Sequence, residues 1–189
     1  VATSSTAGIS WQVAASYAFG HALAKAGLFL VAGLLEKQSH SRDLYDLRGV
    51  LRRRPVLVVV LTGLTASLAG LPLTYGFVTK GALKHISPYT HSVTTALYVG
   101  GLVTLLYMFR LHYLLWTGHG PALKRLGTPW SLPASFLILL LPAVFLGLFP
   151  VWPVDLFSGA LVNASYSIVT LVDTLWPILL ALALFPLVL

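Results

Sequence analysis

The 189-residue sequence contains no cysteine. That excludes disulfides, iron–sulfur ligation and thiolate metal sites within the chain and says nothing of any partner; redox chemistry, if any, is expected elsewhere. Charge is scarce too: 9% of residues are charged, 57% are hydrophobic, and the mean hydropathy is +0.86. A soluble globule of this size cannot cover itself with so little polar surface. The composition predicts a membrane protein. A bilayer core about 30 Å thick takes roughly 20 apolar residues per helix, so the length suits about five spans with short connections and no separate soluble domain. Residues 1–10 lack an initiator methionine, a basic leader and a cleavage signature behind an apolar core, so the chain is expected to be the downstream part of a longer one. The sequence also shows no nucleophile–base pair, phosphate loop or metal-ligand cluster, and gives no support to an enzyme, a resident metal or a cofactor.

What is present is a set of long apolar runs, at about 13–35, 56–80, 92–116, 132–150 and 168–189. The expected fold is an all-α, polytopic transmembrane helix bundle. The first run ends at Glu36, and 36–54 (EKQSHSRDLYDLRGVLRRR) is the one clearly hydrophilic stretch, with a short amphipathic helix expected at 43–51. The formal charge of +7 does not make a nucleic-acid surface, because Arg52, Arg53 and Arg54 crowd one loop beside a span instead of forming a stripe or patch. Lys37, Arg42 and Arg48 lie in the same connection, and Lys124 and Arg125 in the loop at 117–130. The positive-inside bias places both loops on the cytoplasmic side. Trp11, Tyr89, Trp116, Trp130, Trp152 and Trp176 fall near span ends as interfacial anchors, and Pro129, Pro133, Pro150 and Pro153 punctuate helix ends.

A charge at mid-membrane costs about 2.5–3.5 kcal/mol on insertion scales, so each one calls for a wet cavity or a partner. His21, Lys25, Lys80, Arg110 and Asp173 stand inside or at the edge of the spans. His21 and Lys25 are four apart, about 40° in azimuth and one turn along a helix, so they share a face. Two neighbouring cations in an apolar helix disfavour each other, which suits a pair that exchanges protons. Tyr17 adds a hydroxyl one turn earlier on the same stripe, either extending a water path or simply packing. No second histidine shares the face and lysine is a poor ligand, which argues against a metal. In LTASLAGLPLTYGFVTKGAL, Gly70, Pro72 and Gly76 predict a broken helix near 70–76, with Lys80 less than two turns beyond. Carbonyls freed inside a membrane are tolerated only where protein or water satisfies them. Arg110 lies about 9 Å by helical rise from Trp116 and suits a structural role, pairing with a carboxylate or a helix end. Asp173, near the start of the last span, reads as interfacial.

The segments HALAKAGLFLVAGLLE at 21–36, RDLYDLRGVLRRRP at 42–55, SLAGLPLTYGFVTKGAL at 67–83 and LLYMFR at 105–110 resemble, in this order, the antiporter-like membrane subunits of respiratory complex I, membrane-bound hydrogenases and Mrp-type multisubunit sodium/proton antiporters. Within that superfamily the chain is most similar to the A-type component of the Mrp antiporters. GLPLTYGFVTK resembles that family's G-[IL]-P-P-x-x-G-F-x-[ST]-K segment, and LLPAVFLGLFPVW and LWPILLALAL resemble the helices that follow.

The resemblance implies two inverted five-helix repeats, each with a broken helix, around a hydrated mid-membrane axis. Residues 1–116 would hold three spans of the second repeat, and 117–189 two additional helices. By motif position His21 and Lys25 match the axis residues and Lys80 the broken-helix lysine through which protons enter or leave. The family's glutamate–lysine pair of the first repeat has no counterpart here. Three positions depart from the pattern: Tyr17 stands where a histidine is frequent, Gly81 where an acidic residue is frequent, and Pro72 replaces a proline doublet.

The expected function is membership of a monovalent cation/proton antiporter in a prokaryotic cell membrane, with H⁺ and Na⁺ as the exchanged ions, lipid around it and other membrane subunits as partners. A proton-pumping component of a quinone reductase or hydrogenase complex is the alternative. A third, non-transport reading is a lipid-embedded scaffold whose ionisable residues are merely paired.

Overall fold

In lipid a backbone cannot hydrogen-bond to water, so apolar runs of this length resolve into helices that satisfy themselves. The computed structural model describes residues 2–86, 91–118, 131–149 and 168–187 of the chain. These form α1 (Ala2–Ser39), α2 (Pro55–Ala69), α3 (Tyr75–Ile86), α4 (His91–Trp116), α5 (Ser131–Leu148) and α6 (Ile168–Leu184), with short 3₁₀ turns at Val50–Arg53 and Phe185–Leu187. The described residues contain no strand. Trp11–Ser39 and Tyr98–Trp116 are long and apolar enough to cross a membrane unaided, and the remaining apolar helices are shorter. Pro142 and Pro177 sit inside α5 and α6, where neighbouring helices can re-satisfy the freed carbonyls.

The connection at 40–54 ties the first helices into a hairpin. Val31 and Leu35 of α1, Leu47, Val50 and Leu51 of the connection, Leu57, Val60, Leu61 and Leu64 of α2 and Leu115 of α4 form one buried cluster with Phe136 of α5. The ends of α1 and α4 and the start of α2 therefore lie together, so α2 runs antiparallel to both. The Arg54 guanidinium donates to the Gln38 amide oxygen, and Gly49 N–H donates to the Leu114 carbonyl at 3.4 Å. The amphipathic helix expected at 43–51 is not formed. Bonds run from each N–H three residues back, Asp46 to Asp43, Leu47 to Leu44 and Arg48 to Tyr45, and Gly49 turns left-handed at φ 74°. Asp43 and Ser41 side chains also bond the local backbone, competing with helix formation. The first helix continues past Glu36 to Ser39.

α1 packs along α2, α3 and α5, while α6 packs on α4. Tyr98 meets Trp176 with ring centroids 5.9 Å apart, and Phe109 meets Phe185 at 6.0 Å. Trp11, Trp116 and Trp176 are exposed, 64%, 48% and 47%; Trp116 ends α4, whereas Trp176 sits in the middle of α6, away from the span end expected for it. Tyr89, Trp130, Trp152, Pro129, Pro150, Pro153, Lys124 and Arg125 lie outside the described residues. Pro133 falls in the first turn of α5, where its missing N–H costs nothing.

Candidate functional site

The broken helix is present, and its geometry explains why a lysine follows it. α2 begins with Pro55 at its first position and ends at Gly70, which adopts φ 82°, a left-handed conformation that only glycine takes without strain. Gly70 N–H donates to the Ser67 carbonyl at 3.1 Å and Leu71 N–H to the Ala66 carbonyl at 2.9 Å. That closing turn satisfies two of the four carbonyls a helix end leaves open. Lys80 takes the other two: its Nζ donates to the Leu68 oxygen at 2.8 Å and the Ala69 oxygen at 2.9 Å. A cation is favoured there by the partial negative charge of the helix end as well.

The break spans 70–74, so Pro72 lies in the turn while Gly76 belongs to α3, against the expectation that it would interrupt the helix. Gly76 is needed for a different reason. A Cβ there would sit 1.7 Å from the Ser67 carbonyl oxygen. Only a residue without a side chain lets α3 approach the end of α2 closely enough for Lys80 to reach back.

α1 passes this break at mid-height. Phe19 packs edge-on against Tyr75 at 6.3 Å between centroids, and His21 follows Phe19 by two residues. His21 is half-buried and lies within electrostatic reach of both Lys25 and Lys80. Tyr17 and His21 rings lie 5.6 Å apart, one turn from each other on one face. Lys25 continues that face but is exposed on the outside of this chain. His21 thus lies within electrostatic reach of both lysines, with Tyr17 one turn earlier on its own face.

Arg110 does not join them. It is exposed, and its Nη2 donates to the Tyr45 hydroxyl at 3.5 Å, a phenol in place of the expected carboxylate or helix end. Among the described residues the ion pair is Arg42 Nε to Glu36 Oε1 at 2.7 Å, on the surface. Asp173 falls within α6. A cavity of about 260 Å³ beneath the Glu36–Arg42 pair is lined by Leu28, Val31, Leu61, Met108 and Leu115, and it holds none of Tyr17, His21, Lys25 and Lys80.

Three polar residues are not singled out from the sequence: Ser67 and Tyr75 beside the break, and His112 on α4. The Ser67 hydroxyl is buried without a hydrogen-bond partner among the described residues, and the buried Tyr75 hydroxyl lies beside Ser16, whose own proton goes to the Gln12 carbonyl at 2.9 Å. Buried, unsatisfied hydroxyls beside freed backbone are where a water binds. His112 on α4 faces Thr62 and Thr65 of α2, with Nε2 3.4 Å and 3.5 Å from their hydroxyl oxygens. A signal for it does exist in the sequence: it is an ionisable residue inside an apolar helix, two positions after Arg110.

An all-helical bundle with two helices long and apolar enough to cross a membrane, and a broken helix whose freed carbonyls are answered by a lysine, defines a membrane helix-bundle protein. Residues 1–105 match the family model described as NADH:quinone oxidoreductase/Mrp antiporter, transmembrane region. The chain belongs to this family of multi-pass, antiporter-like membrane subunits of multisubunit complexes.

Proposed function

We propose that the chain is part of a monovalent cation/proton antiporter in a cell membrane, corresponding to the A-type component of the Mrp complexes, and that His21, Lys25 and Lys80 carry protons across its mid-membrane section. The observation that supports this reading most strongly is the placement of Lys80. An ammonium bound to two carbonyls of a broken helix, within electrostatic reach of a histidine, is a proton carrier positioned between two segments that can shift relative to one another. Residues 1–116 then act as the later half of the second repeat and 117–189 as two added helices. Lys25, exposed on this chain, faces groups supplied by other helices of the complex. Sodium movement is coupled through partner subunits.

The test is cation-dependent proton exchange in vesicles carrying the complete complex. Lys80→Ala and Lys25→Ala are each expected to remove exchange while the complex still assembles, and wild-type rates in both variants would sink the reading.

The matched family also covers the NADH:quinone oxidoreductases, which keeps a redox-driven proton pump as the second reading. Flavin or iron–sulfur absorbance co-purifying with the assembled complex would select it over the antiporter.

A further inference from the structure

His112 stands outside the set of His21, Lys25 and Lys80, yet it is the residue whose hydrogen bonds specify where a proton can go. Its Nδ1 is 2.9 Å from the Met108 carbonyl oxygen. A carbonyl only accepts, so Nδ1 carries a proton in that contact, and the atom free to gain or lose one is Nε2. Nε2 points at α2, between the hydroxyls of Thr62 and Thr65.

The two hydroxyls are not equivalent. Thr65 Oγ1 sits 2.8 Å from the Leu61 carbonyl and 3.0 Å from the Thr62 carbonyl, so its own proton is committed to the backbone and its lone pairs face outward. Thr62 is exposed, and its hydroxyl has no backbone acceptor among the described residues. A protonated Nε2 can therefore donate to Thr65, and an unprotonated Nε2 can accept from Thr62. Each state of the ring thus faces a hydroxyl able to answer it, at 3.4 Å and 3.5 Å, a separation that a small rotation closes to hydrogen-bond length.

Position gives the site a direction. His112 is four residues from Trp116, the end of α4, about 6 Å by helical rise, and the Leu114 carbonyl beside it meets Gly49 of the connection. Going the other way, Thr65 is one helical turn from Leu68 and Ala69, whose carbonyls hold Lys80. A water-mediated link across that turn of α2 is part of the proposal below.

We propose that His112 is a further proton-carrying station, loading and releasing its proton at Nε2, that joins the Lys80 break to the membrane surface at the end of the 40–54 connection. It takes the transport reading above as its premise. The proton arriving at Nε2 is released again to a hydroxyl or water on the other side, and no other bond is made or broken.

The test compares variants in the complete complex in vesicles. His112→Gln keeps a polar group against Thr62 and Thr65 but cannot carry a proton, and exchange should fall about 10²-fold, as for loss of a positioned proton-transfer group. Thr65→Val and Thr62→Val should each give a smaller loss. Lys80→Ala is the control. If it abolishes exchange while His112→Gln runs at the wild-type rate, the His112 proposal is wrong and the transport reading stands. If both variants run at the wild-type rate, the transport reading itself fails. Should His112→Gln fail to assemble, ¹⁵N shifts of histidine in the wild-type complex decide: a His112 ring protonated at Nδ1 supports the station, and one unprotonated at Nδ1 overturns it.

Discussion

Two lysines in this chain occupy opposite kinds of helix. Lys25 rides the interior of an unbroken helix, where the neighbouring carbonyls are engaged within the helix, and it stands exposed on the outer face. Lys80 follows a break and is held by the two carbonyls that the break leaves open. A continuous helix offers an ammonium nothing, so its charge must be answered by another helix. A broken helix creates acceptors of its own. The helix interruption is thus a means of housing one cation inside a single chain, whereas Lys25 depends on its surroundings for the same service.

The comparison can be attacked from its strongest point downward. Gly76→Ala should be the most damaging change, because the added methyl meets the Ser67 oxygen at 1.7 Å and α3 has to move away. A loss above about 4 kcal/mol is expected, read as failure to recover assembled complex after detergent extraction; normal yield would show that the close approach is dispensable. Lys80→Met should come next, removing exchange and also leaving two carbonyls without a donor at a cost of about 1–3 kcal/mol. Its thermal midpoint should fall. Lys25→Gln should abolish exchange equally but leave the stability of the isolated protein within about 0.5 kcal/mol of wild type. Equal destabilisation by the two lysine substitutions would erase the distinction drawn above. Gly70→Ala introduces a side chain at φ 82° and brings its Cβ within 2.8 Å of Lys80 Cδ, so stability should drop by about 1 kcal/mol and exchange only in part. Arg42→Ala, breaking a surface pair, should change neither measurement.

Hydropathy alone marks the helices, and Gly70 and Pro72 place the interruption to within a few residues. The stripe of His21 and Lys25 also follows from helical spacing. What spacing could not show is which way a lysine reaches. Lys80 bends back eleven and twelve residues to Ala69 and Leu68, a contact set by the turn at Gly70 and the absence of a side chain at Gly76. His112 is similar: its partners lie 47 and 50 residues away on another helix. Pairings of that kind are tertiary and have no local signature. The 43–51 segment misled for the opposite reason. Its apolar spacing suits a helix, but Ser41 and Asp43 side chains and the left-handed Gly49 claim the backbone first.

The hairpin of α1 and α2 is pinned at one end, by the Arg54–Gln38 contact, the Gly49–Leu114 bond and the shared cluster around Leu51 and Leu64. At mid-height the backbone ladder is cut, at 70–74. A rod clamped at its foot and notched halfway yields at the notch. Any tilt imposed on α3 from beyond this chain is therefore concentrated at the level of Lys80, and the grip of Leu68 and Ala69 on that ammonium is the first thing such a tilt would loosen or tighten.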